Sequence, residues 1–330
     1  MSKLLCLTTH APPVQYAIYE IQNHIAQIKS KSLLPIVEQI LTNIIPYNIL
    51  QNNNFANLFQ IKYIETVGLK NLPNSFIHNA ILIAPGSCHA HHTYPGGLIV
   101  HTALNLRAIK RLQKAFRISK KEYDTVVAAH VIHDLLKAGL LPWRRGGTPV
   151  VEPRLFGTGA HHILILACLL LLEAPDALLK AIASIHAHPY NEPDKVKRFL
   201  IAGACLAGLS GTAIKSLVRK IAPTTRLDML AYLGEKLWWE YSVAAERVAR
   251  NFMHRAAENG ELGEDWPPVD RPSHRWAQNY VLTMLTEINF IQYFKRSKKK
   301  AIQRIHQVKK DLYALKLWPI DDNNYLDLQT

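Results

Sequence analysis

Apolar residues recur at three- and four-residue spacing almost from end to end of the chain, and alternation of period two is scarce, so the pattern predicts a mostly helical protein. Two amphipathic helices are expected over residues 15–30 and 33–44, the second stopped by Pro46. A polar loop containing Gln51-Asn52-Asn53-Asn54 follows, and residues 59–67 read as either a short strand or a helix. Helices are then predicted over 76–83, 98–116, 123–138, 161–172, 177–187 and 195–209, and farther on over 213–221, 226–259 and 273–294. Residues 260–272, with Trp266-Pro267-Pro268, separate the last two.

Residues 139–160 carry Pro142, Gly146-Gly147, Pro149, Pro153 and Gly157, too many breakers for a helix, and are expected to form a long loop. A connection of that length without structure of its own is usually functional or disordered. This one holds Trp143, Arg144, Arg145 and Arg154. Arg144 and Arg145 can clamp a phosphate through paired N–H groups or lie as solvated charge. Trp143 can stack a base or pack beneath the loop. Trp238, Trp239 and Tyr241 are expected to plug a seam between the C-terminal region and the helices before it, with base stacking as the other reading.

The chain has 330 residues, 48% hydrophobic and 19% charged, which excludes a disordered composition and allows one large or two medium domains. The formal net charge of +14 favours anionic partners, a nucleic acid or a phosphorylated metabolite. Part of that charge lies in residues 294–310, where Lys295, Arg296, Lys298, Lys299, Lys300, Arg304, Lys309 and Lys310 are expected on one helix. Such a stretch can track a polyphosphate backbone, contact an anionic membrane surface, or be a solvated face. The four cysteines, at 6, 88, 168 and 205, show no paired spacing, and no apolar run is long enough to cross a membrane; a cytoplasmic protein is expected. Glycine-rich phosphate loops, a GxSxG elbow and zinc-finger spacing are absent.

Ten of the sixteen histidines fall between His89 and His188. The string His91-His92-Thr93-Tyr94-Pro95-Gly96-Gly97-Leu98-Ile99-Val100-His101-Thr102 precedes a helix-length segment and then His133-Asp134-Leu135-Leu136-Lys137. On the predicted helix 123–138, His130, His133, Asp134 and Lys137 fall at i, i+3, i+4 and i+7, on one face. Neutral imidazole and carboxylate are the usual ligands of divalent ions. Lys137 would put a cation beside an anion held there. A single histidine on an apolar helix face is more often a packed core residue than a ligand; the case rests on the recurrence.

These residues resemble the HD superfamily of metal-dependent phosphohydrolases, and the HHxYxGGLxxHT string is most similar to the branch with HD-type 3′-5′ exoribonucleases and relaxase-associated HD domains. The resemblance covers Phe76 to Ala213. It implies an all-α HD-domain helical bundle over 76–212, flanked by a mainly helical region 1–75 and a C-terminal helical region 213–330 with a basic tail.

By this resemblance His101 is the first ligand, His133 and Asp134 the signature pair, and Lys137 the lysine that often follows it. His161 or His162, and His186 with His188 nearby, resemble the later ligands of members holding two ions. The implied cofactor is one or two divalent ions, of manganese, magnesium, iron, nickel or zinc. His91 or His92 would donate a proton to a leaving oxygen or orient His101. His130, His188, Arg144, Arg145, Lys298 and Lys299 are candidate substrate contacts. The family's closing aspartate is expected at Gly208, which cannot ligate. The expected activity is hydrolysis of a phosphodiester in a nucleic acid or nucleotide. An HD-type di-iron oxygenase and a lapsed domain that only binds nucleic acid or protein are the alternatives.

Overall fold

The computed structural model describes residues 2–42, 77–89, 91–221 and 224–320. The expected polar loop after Pro46, the undecided segment 59–67 and Phe76 lie outside the described residues.

Three helices, α1 (Lys3–His10), α2 (Pro12–Ala26) and α3 (Leu34–Thr42), come first. The short α4 (Asn79–Ile83) leads to α5 (Gly97–Phe116), α6 (Lys120–Ile132) and the single turn α7 (Lys137–Leu140). After a hairpin, β1 (Arg154–Leu155) and β2 (Thr158–Gly159), come α8 (Ala160–Leu171), α9 (Asp176–Ile185), α10 (Pro193–Leu206) and α11 (Gly211–Ile221). The C-terminal part contains the long α12 (Arg226–Glu258), then α13 (Pro272–Leu285), α14 (Glu287–Arg296) and α15 (Lys298–Ala314). The fold is all-α, about 69% helical. No described helix is long and apolar enough to cross a membrane.

Helix α8 is apolar on every side and almost wholly buried, as a central helix must be. Helix α12, 33 residues and therefore about 50 Å long, runs along α5, α6, α9 and α14. The buried side chains of the N-terminal, middle and C-terminal regions form one contiguous core.

Four expectations about element boundaries are corrected. The helix predicted to run to Ala138 stops at Ile132, because the bonds Leu135 N–H to Ile132, Lys137 to Asp134 and Ala138 to Leu135 close over three residues rather than four. The expected loop 139–160 is partly ordered: Arg154 pairs with Gly159 and Leu155 with Thr158. Phe156 and Gly157, both at positive φ (51° and 80°), make the tight turn between them. The helix predicted over 273–294 breaks at Thr286, whose backbone leaves helical space and whose hydroxyl accepts the Asn289 N–H at 3.3 Å to start α14. The basic stretch divides at Ser297 in the same way, its hydroxyl accepting the Lys300 N–H.

Trp143 packs under its loop. Its indole N–H donates to the Ile83 carbonyl at 2.9 Å, and its ring lies 5.4 Å from that of Trp276.

Candidate metal centre

The glycine pair of the motif fixes the entry to α5. Gly96 has φ 81°, and a Cβ on Gly97 would lie 2.0 Å from the His92 carbonyl oxygen, so the chain can fold back over itself only with glycine there. The C-terminal helices clamp the preceding loop. Tyr94 O–H donates to Glu287 of α14 at 2.7 Å, the Thr93 N–H donates to Glu246 of α12 at 3.0 Å, and Thr283 of α13 donates to the Pro95 carbonyl at 2.8 Å. His101 is thereby held one turn into α5, fully buried.

The tightened turn after α6 brings Asp134 and Lys137 side by side, with Nζ 2.5 Å from Oδ2. The two Asp134 oxygens then face different histidines. Oδ2 lies 3.1 Å from His101 Nε2 and 3.4 Å from His133 Nε2. Oδ1 lies 3.0 Å from His161 Nε2, at the start of α8, and 3.6 Å from His186 Nε2, at the end of α9. Glu235 of α12 adds Oε2 at 3.3 Å from His101 Nε2 and 3.7 Å from His133 Nε2.

The outward ring nitrogens are anchored. His133 Nδ1 donates to the His130 carbonyl at 3.1 Å, His161 Nδ1 to Glu152 at 2.5 Å, and His101 Nδ1 pairs with His91 Nε2 at 3.2 Å. These partners assign the protons to Nδ1 of His133 and His161 and leave Nε2 as a lone pair. His133 Nε2, His161 Nε2, His186 Nε2 and Asp134 Oδ1 are buried without a hydrogen-bond partner among the described residues. An unsatisfied buried polar atom costs about 1–3 kcal/mol. Several such lone pairs converging on one place fit a divalent cation, which satisfies all of them together.

The electrostatics agree. Burial lowers the pKa of His101, but the Glu235 and Asp134 carboxylates outweigh it and hold the ring at about 9, so this position attracts positive charge. Burial pushes His186 down to about 3, keeping it a neutral donor. Asp134 and Glu235 remain ionised: burial raises both, but the cationic groups around them hold each well below the usual carboxylate range.

Of the predicted site residues, the structure brings together His101, His133, Asp134, Lys137, His161 and His186. His162 stands beside them, stacked on His186 with centroids 3.7 Å apart and hydrogen-bonded to Thr158 at 2.5 Å. His91 lies behind His101 and orients it, whereas His92 faces Glu287 at 3.1 Å. His130 is buried beside His133, their rings 5.5 Å apart, and donates to the Ala231 carbonyl at 2.9 Å, tying α6 to α12; with His133 and Glu235 it forms a further group able to hold an ion, and it is not the open substrate contact that was expected. His188 caps a turn by accepting the N–H groups of Tyr190 and Asn191. Arg144 and Arg145 are exposed on a turn closed by the Trp143–Pro149 bridge. Lys298 pairs at 2.7 Å with Glu261, beyond the end of α12, and Lys299 is its neighbour. Glu258 lies about 35 Å along that helix from Glu235, so both lysines are remote from the centre.

Gly208 does not face the centre. It is an exposed residue of the turn ending α10, with φ 76° and nothing within 4 Å of a Cβ built there. A carboxylate reaches the centre from Glu235 instead, and Gly234 allows this, since a Cβ there would meet Ile109 at 2.4 Å and His130 Nε2 at 2.6 Å. Neither Glu235 nor Glu152 was expected from the sequence. Glu152 had a faint signal, an acid shortly before His161-His162; Glu235 had none, because it arrives from a helix outside the motif region. Of the aromatic residues expected to plug the seam, Trp238 packs there, its indole N–H donating to Asn105 at 2.8 Å while Asn105 donates to Glu235 at 2.7 Å, whereas Tyr241 is exposed.

No family model matches the chain, and no curated protein or solved structure matches it.

Proposed function

We propose that this protein is a metal-dependent phosphohydrolase of HD type, acting on a phosphodiester of a nucleic acid or nucleotide. The observation that carries this reading is the division of the Asp134 carboxylate between two histidine sets, His101 with His133 and His161 with His186. A carboxylate in that position can hold two cations a short distance apart, the arrangement that two-ion phosphoryl-transfer sites use. A divalent ion held there supplies Lewis acidity and lowers the pKa of water toward about 7.

The protein groups have separable tasks. His101, His133, Asp134 and Glu235 would hold one ion; Asp134, His161 and His186, with His162 alongside, would hold the other. Lys137 commits two of its three donors to Asp134 and the Gly86 carbonyl, which leaves one for a substrate oxygen as negative charge develops. Glu152 and His91 fix the rings of His161 and His101. The net charge of +14 favours a polyanionic substrate over a small neutral one. The lapsed-domain alternative drew on Gly208; the Glu235 carboxylate beside His101 and His133 supports the active reading instead.

The test is elemental analysis of the protein as purified, paired with manganese-dependent hydrolysis of bis-p-nitrophenyl phosphate by wild type and Asp134→Ala. Hydrolysis lost with Asp134 supports the proposal. Equal rates in the two proteins refute it, and bound iron with O₂ consumption and no phosphate release would select the di-iron oxygenase instead.

A further inference from the structure

We propose that the groove between α2, α5, α14 and α15 binds a stretch of single-stranded nucleic acid, on a surface separate from the metal centre. The groove shares no residue with that centre, so failure here and failure of the phosphohydrolase reading are distinguishable. It encloses about 480 Å³ and is lined by Tyr16, Arg107, Asn289, Gln292, Tyr293 and Arg304, among others.

Its two tyrosines each carry a guanidinium against the ring. Arg107 lies 4.9 Å from the Tyr16 centroid and Arg304 5.8 Å from that of Tyr293. Tyr16 is 54% exposed, so its ring is available to a ligand. Arg107 is ion-paired with Glu20, which neutralises that acid. Arg304 differs: its Nε is buried with no hydrogen-bond partner among the described residues, a donor without an acceptor. Asn289 and Gln292, at i and i+3 on α14, project from one side of that helix and offer donors and acceptors.

A ligand for this lining must have flat faces to stack on the rings, polar edges for the amides and negative charge for the arginines. Single-stranded nucleic acid has all three. The chain around the groove supplies the track for its backbone. From Tyr293 the sequence runs directly into Lys295, Arg296, Lys298, Lys299 and Lys300 and reaches Arg304. Lys298 is held by Glu261 and Lys309 is buried against Asp265. Lys299 and Lys300 are exposed and have no ion pair with a described residue.

The experiment is fluorescence anisotropy with a labelled 12-nucleotide single-stranded DNA, on the full chain, at several salt concentrations. Wild type should bind with a steep salt dependence, and Tyr16→Ala/Arg304→Gln should weaken binding at least about fivefold. Tyr16→Phe, which keeps the ring, should bind as wild type. Lys299→Gln/Lys300→Gln should flatten the salt slope by about 0.7 for each phosphate that is no longer neutralised. Gly146→Ala, with open space around its Cβ position and outside the groove lining, should bind undiminished. The proposal is overturned if Tyr16→Ala/Arg304→Gln binds as well as wild type, or if Gly146→Ala loses binding to the same extent. It is equally overturned if phosphatidylserine vesicles are bound more tightly than DNA and lost in the same groove variants.

Discussion

Glu235 Oε2 lies 3.3 Å from His101 Nε2, joining α12 to α5 across the candidate metal centre. This carboxylate is one that the motif region itself lacks, and it makes the C-terminal region part of the site rather than an appendage. Replacing Glu235 by Gln should therefore lower affinity for Mn²⁺ by more than the roughly 10–100-fold typical of removing an outer partner of a ligand. Gly208→Asp, on an exposed turn, should leave that affinity unchanged. Isothermal titration of both variants decides the point; an ion affinity that responds to position 208 and not to 235 would refute the geometry.

Glu152 offers a second check on the same centre. Its Oε1 accepts from His161 Nδ1 at 2.5 Å and from the His161 N–H at 2.8 Å, so it sets both the ring proton and the start of α8. Glu152→Gln should reduce ion affinity about 10- to 100-fold while leaving the helix content intact. The measurement is Mn²⁺ titration alongside circular dichroism. Unaltered affinity would mean that His161 needs no orienting partner.

The motif that carries the resemblance was legible because it is local. His101, His133, Asp134, His161 and His186 each sit in a short segment whose spacing is visible in one dimension. What the sequence hid is tertiary. Apolar periodicity marked α5, α8 and α12 well, but it cannot register the switch from four-residue to three-residue hydrogen bonds at His133–Lys137, which ends α6 at Ile132 and sets Asp134 beside Lys137. Thr286 and Ser297 ended helices without proline or glycine, through backbone conformation and a hydroxyl cap. Glu235 came from a helix whose local pattern is ordinary, and only packing at Gly234 brings it in.

The motif glycine Gly97 should tolerate no side chain. A Cβ 2.0 Å from the His92 carbonyl oxygen requires the backbone to move. Gly97→Ala should therefore cost about 1–3 kcal/mol or more. Gly146→Ala is the control: nothing lies within 4 Å of its Cβ position, and the change should fall within about 0.5 kcal/mol of wild type. Urea unfolding of the three proteins measures both. Similar midpoints for Gly97→Ala and wild type would show that the loop before α5 is far looser than its packing implies.

Glu122 gives a pH-dependent prediction removed from the metal centre. It accepts from Arg226, at the start of α12, and from the Ser119 N–H that begins α6, so it joins the ends of the two helices that deliver His133 and Glu235. The Arg226 hydrogen bonds, followed by those of Ser119, lower its pKa from 4.5 to about 2. A carboxyl group depressed by folding stabilises the native state above its unfolded pKa, and that contribution disappears as pH falls from 4.5 toward 2. Because the Arg226 side chain is 53% exposed, solvent screening limits the ion pair, and the helix cap provides most of the effect. Glu122→Gln should thus cost about 1 kcal/mol at about pH 7. The difference from wild type should shrink on the way from about pH 4.5 to about pH 3, as followed by urea unfolding at each pH. A cost that is the same at both ends of that range and at neutral pH would show that the charge of Glu122 contributes nothing, and that the helix ends are held by packing alone.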